Sequence, residues 1–535
     1  MINVLAKYLY HFLIGVMLFF LVWFIWRVDF GFPSSYTDLS FHMATAQAFL
    51  RAGGITTWDF WESLPLGRPH NYPPLFHLIM ASLLKIGFSP SATIKLMMEL
   101  TVVGGFAVYS WGLTKLFNIK IAFWSVLLLV LSTRFLQLSS TVMPATIVTF
   151  LVPALLYFVL NKKWLSYSAL LVIMFYLHLY MPYFILLAML IYILLFKKNL
   201  LKHFLITSII SFTLFIPWLA HIIMGGWEYI KYLNPNTLPD MWRNFILINI
   251  LAFALLGVGV FMLFKKRKTV PNQYFFFLIL AIIILSPSFF AAARLIDSHF
   301  IVCAVVISSL AVSEIWQSRA RNYLALPLLV YFWLTPTITL GKLNGIVWTP
   351  STINHNNEIY NRIYYDPMEK FSQIIKAINK NAKSGETITT VATSFDDNFV
   401  DRNYRLSISN IFTPYTNLST LNLRQPEIYQ RPLSDLKKSK FLLSSVPIGE
   451  MDATFFSDLG YLNGSEVAQF VKDNFQFLSS SPSGFESNLY CMMNTSTTTH
   501  ENIPLHKFPL YLGDGLLIAL IGVTAYGNKK VNKNA

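Results

Sequence analysis

The chain has 535 residues, of which 55% are hydrophobic and only 13% are charged, and its mean hydropathy is +0.52. This composition excludes an ordinary soluble domain or a disordered chain and is typical of a polytopic membrane protein. The formal net charge of +15 does not predict a nucleic-acid partner, because the basic residues are scattered between apolar runs, where they determine membrane topology. The two cysteines, Cys303 and Cys491, form no metal-binding motif.

Apolar segments along the chain predict about 12 transmembrane helices. The predicted spans are 8–27, 91–113, 121–139, 144–160, 164–179, 182–196, 203–221, 244–264, 273–290, 299–316, 322–340 and 508–526. The apolar segment 75–86 has about 12 residues, whereas a span needs roughly 20, so it is predicted to be an interfacial helix. With this choice every compact basic cluster falls on one side of the membrane, which the positive-inside rule makes the cytoplasmic side.

These spans divide the chain into three regions. Residues 1–340 are predicted to form a transmembrane domain with a large first external loop, 28–90, and residues 508–535 to form the last transmembrane helix and a basic cytoplasmic tail. Residues 341–507 are predicted to form an extracytoplasmic α/β domain before that last helix. Its predicted elements are helices at 369–380 and 466–474 and strands at 387–393, 441–446 and 488–493.

The first external loop concentrates charged, histidine and aromatic residues in a chain with few charges. Charge is costly near a bilayer, so this concentration at the end of a membrane helix predicts a functional site; the alternative is an interfacial loop whose polar residues face water. Asp38 stands where a helix is predicted to begin and is a good N-cap there. His42 then lies one turn along the same face, so the carboxylate and the imidazole can converge on one ligand.

Several motifs in this loop resemble the first external loop of the oligosaccharyltransferase catalytic subunits. In order they are Asp38, a helix, Gly53-Gly54, Trp58-Asp59-Phe60-Trp61, Leu64-Pro65-Leu66-Gly67-Arg68 and Tyr72-Pro73-Pro74-Leu75. More broadly the loop resembles the GT-C class of membrane glycosyltransferases, which take sugars from polyprenyl-phosphate carriers. The resemblance implies a GT-C-like helical fold, a hexosyltransferase-like activity and a catalytic or metal-binding role for Asp38. General-base catalysis and metal binding remain two open roles for this carboxylate.

The second external loop departs from that family. Oligosaccharyltransferases carry an Asp-x-Asp there for a divalent metal, whereas this chain has Ser139-Ser140-Thr141-Val142-Met143-Pro144, without a carboxylate. A diphosphate leaving group normally requires the metal, but a monophosphate can depart with cationic side chains alone. The loop therefore favours a polyprenyl-monophosphate sugar donor and metal-independent transfer. A divalent metal, Mg²⁺ or Mn²⁺, held by Asp38 belongs to the alternative, oligosaccharyltransferase-like hypothesis.

Arg294 lies between the predicted spans 273–290 and 299–316. The resemblance implies that it binds the carrier phosphate, and a guanidinium group suits bidentate phosphate contacts. An ion pair between Arg294 and Asp297 at a helix end is the alternative, and the two roles are compatible. Further candidates for the cavity or the acceptor site are polar and aromatic residues of the outer loops: His42, Asp59, Glu62, Arg68, Tyr72, His178, Tyr180 and Glu228.

These observations favour a membrane glycosyltransferase that moves a sugar from a polyprenyl-phosphate-linked donor to an acceptor on the outer face of the cytoplasmic membrane. The acceptor is a protein, a lipid or a glycan, and the expected partners are the donor and membrane lipid. One alternative is an oligosaccharyltransferase-like enzyme that uses a lipid-diphosphate glycan and a divalent metal. A multi-pass transporter is another, although the charges crowd the outer loops and no halves of the chain match. The missing second-loop carboxylates also keep open a non-catalytic, glycan-binding relative.

Overall fold

The computed structural model describes the chain in segments. The described residues are 2–27, 39–59, 68–132, 135, 144–230, 250–288, 299–318, 324–325, 372–382, 387–390, 419–420, 436–437, 440–444, 448–454, 463–480 and 488–492. The predicted spans 322–340 and 508–526 lie outside these segments, apart from residues 324–325. The division of the chain into three domains therefore stays a prediction.

Helices form most of the described chain. They are α1 (Ile2–Arg27), α2 (Leu39–Ala52), α3 (Leu75–Lys85), α4 (Pro90–Met98), α5 (Gly105–Leu116), α6 (Ile119–Val130), α7 (Pro144–Leu160), α8 (Trp164–Leu177), α9 (Met181–Phe196), α10 (Leu201–Ile230), α11 (Ile250–Lys265), α12 (Gln273–Ser288) and α13 (Ile301–Gln317). A π-helical segment, Glu99–Gly104, joins α4 to α5. The predicted interfacial helix is found as α3, and its 11 residues span only about 16 Å.

One predicted span ends earlier than expected. The apolar run 121–139 predicted a long helix, but α6 ends at Val130. The Leu131 N–H still reaches the Leu127 carbonyl, whereas the Ser132 N–H donates to the Leu129 carbonyl three residues back. This tightening is common at the last turn of a helix. The sequence carried a signal for this end, since the polar residues Ser132, Thr133 and Arg134 interrupt the apolar run just after Leu131.

The outer surface of the helices is strongly apolar. Two helical stretches of the described chain, Ala92–Leu116 and Lys198–Ile223, are long and apolar enough to cross a membrane, and shorter apolar helices accompany them. Large apolar side chains that are more than half exposed include Phe12, Phe19, Leu195, Ile209, Phe261 and Ile282. A soluble protein rarely exposes so many, and together with the composition they describe a helical membrane protein.

The antiparallel helices place their turns at two ends of the bundle. The hairpin of α8 and α9 puts Lys162 and Lys197 at one end and His178 at the other. Lys115, Lys162 and Lys197 line one cavity at the first end, which we call the basic end. At the opposite end, the histidine end, the rings of Tyr72 and His299 each approach His178. The alternation of turns predicted for this part of the chain is thus confirmed, while the assignment of the basic end to the cytoplasm stays a prediction.

Two helix pairs approach closely at glycines. At Gly112 in α5 an added Cβ would lie 2.7 Å from the backbone nitrogen of Ala154 in α7. At Gly259 in α11 it would overlap the carbonyl oxygen of Ile307 in α13, whereas at Gly257, on the same helix, it would meet no atom within 4 Å. Small residues at such crossings allow helix backbones in membranes to pack directly against each other.

We expect Gly259→Ala to destabilise the protein by about 1–3 kcal/mol, because the new methyl group must push α13 away. Gly257→Ala is the matched control and should be neutral or stabilising by up to about 1 kcal/mol, since alanine favours the helical backbone. The measurement is the unfolding temperature of each variant in detergent, followed by tryptophan fluorescence. Equal unfolding temperatures for the two variants would contradict the packing described for Gly259.

A mixed β-sheet follows the helical region. Its strands are β3 (Thr387–Thr390), β4 (Ser419–Thr420), β5 (Phe441–Ser444), β6 (Phe475–Ser480) and β7 (Asn488–Met492), in the order β4-β3-β5-β7-β6. β3 pairs in parallel with β4 and β5, and the other pairs are antiparallel. Helices α14 (Ser372–Asn381) and α15 (Gly464–Asn474) accompany it. A separate two-stranded ribbon in the first external loop pairs β1 (Trp58–Asp59) with β2 (Arg68–Pro69).

Sequence patterns located three of these strands and both helices. The predicted strands at 387–393, 441–446 and 488–493 are found as β3, β5 and β7, and the helices at 369–380 and 466–474 as α14 and α15. The pattern missed the two edge strands, β4 and β6. Phe475 is buried and Phe477 is 55% exposed although alternation would place both on one face. A register shift between Phe477 and Ser479 further disturbs the alternation.

Candidate functional site

Two helices of the first external loop bring a pair of buried histidines together. His42 lies in the first turn of α2 and His77 in the first turn of α3, and their side chains are 1% and 0% exposed. Nδ1 of His42 lies 2.8 Å from Nε2 of His77, which is a hydrogen bond between the rings. Apolar rings enclose the pair, with Phe41 and Phe76 in edge or tilted contact with both imidazoles. The pair therefore fixes α2 against α3 in surroundings of low polarity.

The arrangement of protons in this pair follows from the remaining nitrogen of His77. Its Nδ1 is buried and has no hydrogen-bond partner among the described residues. A buried N–H without an acceptor is rarer in proteins than a bare acceptor, so we assign the proton of His77 to Nε2. His77 then donates to His42 Nδ1, and the proton of neutral His42 is on its Nε2.

The pKa of His77 is held well below its ordinary value. Burial away from water disfavours the imidazolium first, and the neighbouring His42 and His70 oppose a further positive charge. His77 is therefore neutral at physiological pH. This agrees with its position as the uncharged donor in the hydrogen bond to His42.

A third histidine ties the loop to the helix bundle. The His70 N–H donates to the Thr57 carbonyl at 2.9 Å, which extends the β1–β2 ribbon. The His70 carbonyl in turn accepts a hydrogen bond of 2.9 Å from Nε2 of His221 in α10. The ring of Trp218, one turn earlier in α10, lies 6.0 Å from the His70 ring. These contacts hold the end of the first external loop on α10.

Aromatic rings continue from the histidine pair to the ends of three further helices. The Tyr72 ring centroid lies 5.1 Å from that of His42 and 6.4 Å from that of His178, and His178 lies 6.2 Å from His299. Nδ1 of His299 is 2.9 Å from Oγ1 of Thr149 in α7. We call His42, Tyr72, His77, His178 and His299 the ring cluster. It links the first external loop to the turns of the histidine end.

His178 has a structural role in this cluster. Its Nδ1 accepts hydrogen bonds from the backbone N–H groups of Tyr180 and Met181, at 3.3 and 3.2 Å. These N–H groups are at the start of α9, where backbone donors have no partner within the helix. His178 thus caps α9, and because Nδ1 is the acceptor, the proton of the neutral ring is on Nε2. Its ring still faces those of Tyr72 and His299.

The structure joins four of the predicted site residues and does not describe the side chains of the others. His42, Tyr72 and His178 belong to the ring cluster, and the ring of Tyr180 lies 6.2 Å from His178. Asp59 and Arg68 are cross-strand partners in the β1–β2 ribbon, and Glu228 lies in the last turn of α10, but the structure describes only their backbones. The remaining predicted residues, Asp38, Glu62 and Arg294, lie outside the described residues.

Sequence reasoning missed the partners that complete the site. His77, His70 and His221 were not predicted as site residues, and neither was His299. Their signal was the unusual number of histidines in and beside the outer loops of this chain, which has 11 in total. The sequence did not show which of them meet, because their partners lie on separate helices.

A divalent metal finds no ligand set in the described part of the chain. No group of three His, Cys, Asp or Glu side chains there has a metal-binding arrangement. The facing nitrogens of His42 and His77 are occupied by their mutual hydrogen bond, so neither can bind a metal at the same time. The alternative of a divalent metal held by Asp38 therefore stays a prediction.

We expect the protein to lose stability as the pH falls below about 6.5, the ordinary histidine pKa. The unfolded chain then binds a proton at His77 that the folded chain excludes, so the free energy of unfolding falls by up to about 1.4 kcal/mol per pH unit for this one group. In His77→Gln this dependence should shrink, because glutamine does not titrate and its amide can donate to His42. The measurement is the unfolding temperature between pH 5 and pH 8.

His203→Gln is the control for that experiment, since His203 is an exposed histidine stacked on Trp164 near the basic end. It should retain the pH dependence of the wild type. If His77→Gln keeps the full dependence as well, the pH response does not come from His77.

The capping role of His178 predicts different effects for two substitutions. His178→Ala removes the acceptor for the first N–H groups of α9 and should cost about 1 kcal/mol of stability. His178→Asn keeps a short side-chain acceptor and should retain most of it. Unfolding temperatures of the two variants give the comparison, and an alanine variant as stable as the asparagine variant would exclude the cap.

Comparisons with known proteins show the fold. No protein-family model matches the chain, and no curated protein matches it. The structure is similar to that of ArnT from Cupriavidus metallidurans bound to undecaprenyl phosphate, with a TM-score of 0.57 and 10% identity over 89% of this chain and 97% of ArnT.

It is also similar to the oligosaccharyltransferase AglB from Archaeoglobus fulgidus. In complex with an inhibitory peptide and a dolichol-phosphate, AglB gives a TM-score of 0.51 and 12% identity over 92% of this chain and 75% of AglB. The Archaeoglobus fulgidus enzyme tethered to an acceptor peptide with an NVT sequon gives a TM-score of 0.53 and 12% identity. That similarity covers 93% of this chain and 75% of the enzyme. At sequence identities this low, the similarity shows the fold alone. The resemblance to GT-C membrane glycosyltransferases is confirmed at the level of the fold.

Proposed function

We propose that this chain is a GT-C membrane glycosyltransferase that transfers a sugar from a polyprenyl monophosphate to an acceptor at the histidine end. The observation that carries the proposal is the ring cluster, which is built at this end from the loop that resembles the glycosyltransferases. The fold shared with ArnT and AglB supports it, because both of those structures contain a polyprenyl phosphate. The positive-inside rule then places the histidine end, and the reaction, on the extracytoplasmic side.

Asp38 is the proposed general base. It directly precedes Leu39, the first residue of α2, and the hydrogen bond from His77 to His42 fixes the first turn of that helix. A base held by a rigid element loses little freedom when the acceptor binds, which is how positioning contributes to catalysis. The rigid α2–α3 contact is therefore the means by which the ring cluster would serve Asp38.

The proposed reaction forms one bond and breaks one. The acceptor nucleophile attacks the anomeric carbon of the sugar while its proton passes to the Asp38 carboxylate. The bond between that carbon and the phosphate oxygen breaks, and the polyprenyl phosphate leaves with the electron pair. Arg294 would stabilise the charge that develops on the phosphate, because its guanidinium provides two parallel donors.

Two observations favour a monophosphate donor without a metal over the oligosaccharyltransferase-like alternative. The second external loop has no carboxylate, and the chain spans 97% of ArnT but only 75% of AglB. ArnT was solved with undecaprenyl phosphate, a monophosphate. The similarity to AglB is the observation that favours the alternative, in which a lipid-diphosphate glycan and a divalent metal take part.

We expect Asp38→Asn to lower transfer at least about 100-fold, because the amide cannot accept the acceptor proton. Transfer of radiolabelled sugar from a panel of polyprenyl-phosphate donors is measured in membranes, with and without a chelator. Wild-type transfer that depends on Asp38 and survives chelation supports the proposal. Loss of transfer on chelation supports the metal-dependent alternative.

Glu314→Gln is the matched carboxylate control for this assay. Glu314 lies at the basic end and forms an exposed ion pair of 2.7 Å with Lys266, which contributes little to stability. This variant should transfer sugar like the wild type. Full activity of Asp38→Asn would disprove the assigned base, and no transfer by the wild type from any donor would leave the similarity as one of fold alone.

A further inference from the structure

A basic cavity lies at the end of the bundle opposite to the ring cluster. It has a volume of about 390 Å³ and is formed where four inter-helix turns meet. Its lining residues are Lys115, Leu116, Leu160, Asn161, Lys162, Lys197, Asn199, Leu200 and Gln273. The lining contains three ammonium groups and three side-chain amides but no carboxylate, so its composition suits an anion.

The three lysines are available to such an anion. Lys115, Lys162 and Lys197 make no ion pair within the described chain, in contrast to Lys266, which pairs with Glu314 at the same end. Mutual repulsion opposes placing three like charges around one cavity. A bound anion would remove this repulsion, whereas water alone only screens it.

Helix dipoles do not neutralise the positive charge of the three lysines. The last turns of α5, α7 and α9 end at this cavity, and each contributes roughly −0.5 of an elementary charge. The first turns of α6, α8, α10 and α12 begin beside it, at Ile119, Trp164, Leu201 and Gln273, and each contributes roughly +0.5. The dipoles nearly cancel, so the charge of the three lysines remains unbalanced.

The backbone of Lys162 supplies an independent observation. Its φ angle is +56°, and it is the sole non-glycine residue with positive φ in the part of the chain that the structure describes. The Lys162 and Lys163 N–H groups donate to the carbonyls of Val159 and Phe158, so α7 ends in a turn of the kind that usually has glycine at this position. A lysine at this position has a more strained backbone than a glycine would have, but it places an ammonium group at the cavity. Strain of this kind is concentrated at functional sites.

We propose that this cavity binds a phosphate group, with Lys115, Lys162 and Lys197 as its charged donors and the amides of Asn199 and Gln273 as neutral donors. The phosphate is that of an anionic lipid headgroup or of a soluble phosphate. Basic pockets between membrane helices are suited to the former, and the volume is within the range of small-molecule sites. The site is distinct from the ring cluster, because α8, with 14 residues, separates them by about 21 Å. The proposal does not depend on the proposed transferase activity.

The test uses the full-length protein in detergent and two probes. Native mass spectrometry measures retention of phosphatidylglycerol, with phosphatidylcholine as the zwitterionic reference. The unfolding temperature measures binding of inorganic phosphate against chloride at equal ionic strength. We expect each of Lys115→Gln, Lys162→Gln and Lys197→Gln to weaken binding about fivefold, and the triple variant to lose it.

Two further variants separate binding from folding and from general surface charge. Lys162→Gly relieves the backbone strain while it removes the ammonium group, so it should unfold at the same or a higher temperature and still bind about fivefold more weakly. Lys198→Gln is the matched control, because Lys198 is exposed beside Lys197 but does not line the cavity. It should bind like the wild type.

Each outcome decides the proposal. If phosphatidylglycerol is retained and the cavity-lysine substitutions alone weaken its retention, the ligand is a lipid headgroup. If inorganic phosphate raises the unfolding temperature and the same substitutions reduce that effect, the ligand is a soluble phosphate. The proposal is overturned if neither probe binds, if the triple variant binds like the wild type, or if Lys198→Gln weakens binding as much as Lys197→Gln.

Discussion

The hydrogen bond between His42 and His77 is the contact on which the candidate site depends. It joins two helices of one loop inside a shell of aromatic rings, where an unpaired polar group would be costly. His77 stays neutral in this pair, because burial and the neighbouring His42 and His70 disfavour a positive charge on its ring. The first turn of α2 is thereby fixed, and with it the start of the helix that follows Asp38. A loop at a membrane surface would otherwise be among the most mobile parts of the chain.

The rest of the bundle separates two kinds of chemistry. Because the surface around the helices is apolar, polar groups are confined to the helix ends, where backbone groups and water can form hydrogen bonds with them. At one end imidazoles and a tyrosine gather, with no lysine in the ring cluster. At the other end lysines surround a cavity. A transferase on the first end and a phosphate site on the second would thus meet the two faces of the same membrane.

Close backbone contacts give the bundle its rigidity. Gly112 and Gly259 lie where helices cross without room for a methyl group, and the Tyr109 hydroxyl donates to the Val302 carbonyl across another crossing at 2.7 Å. Such contacts hold the helix ends in fixed positions. The ring cluster draws on four separate parts of the chain, so its geometry requires that these ends do not shift relative to one another.

The sequence by itself determined the helical class, the bounds of most described helices, the alternation of the turns and the loop that forms the site. These features are local, since hydropathy, charge and turn residues act over a few neighbouring positions. Only the tertiary structure decided that His42 bonds to His77, that His178 caps α9 while facing His299, and that lysines from three turns share one cavity. Apart from the local cap at His178, those contacts join residues 35 to more than 100 positions apart, and helix packing rather than sequence spacing brings them together.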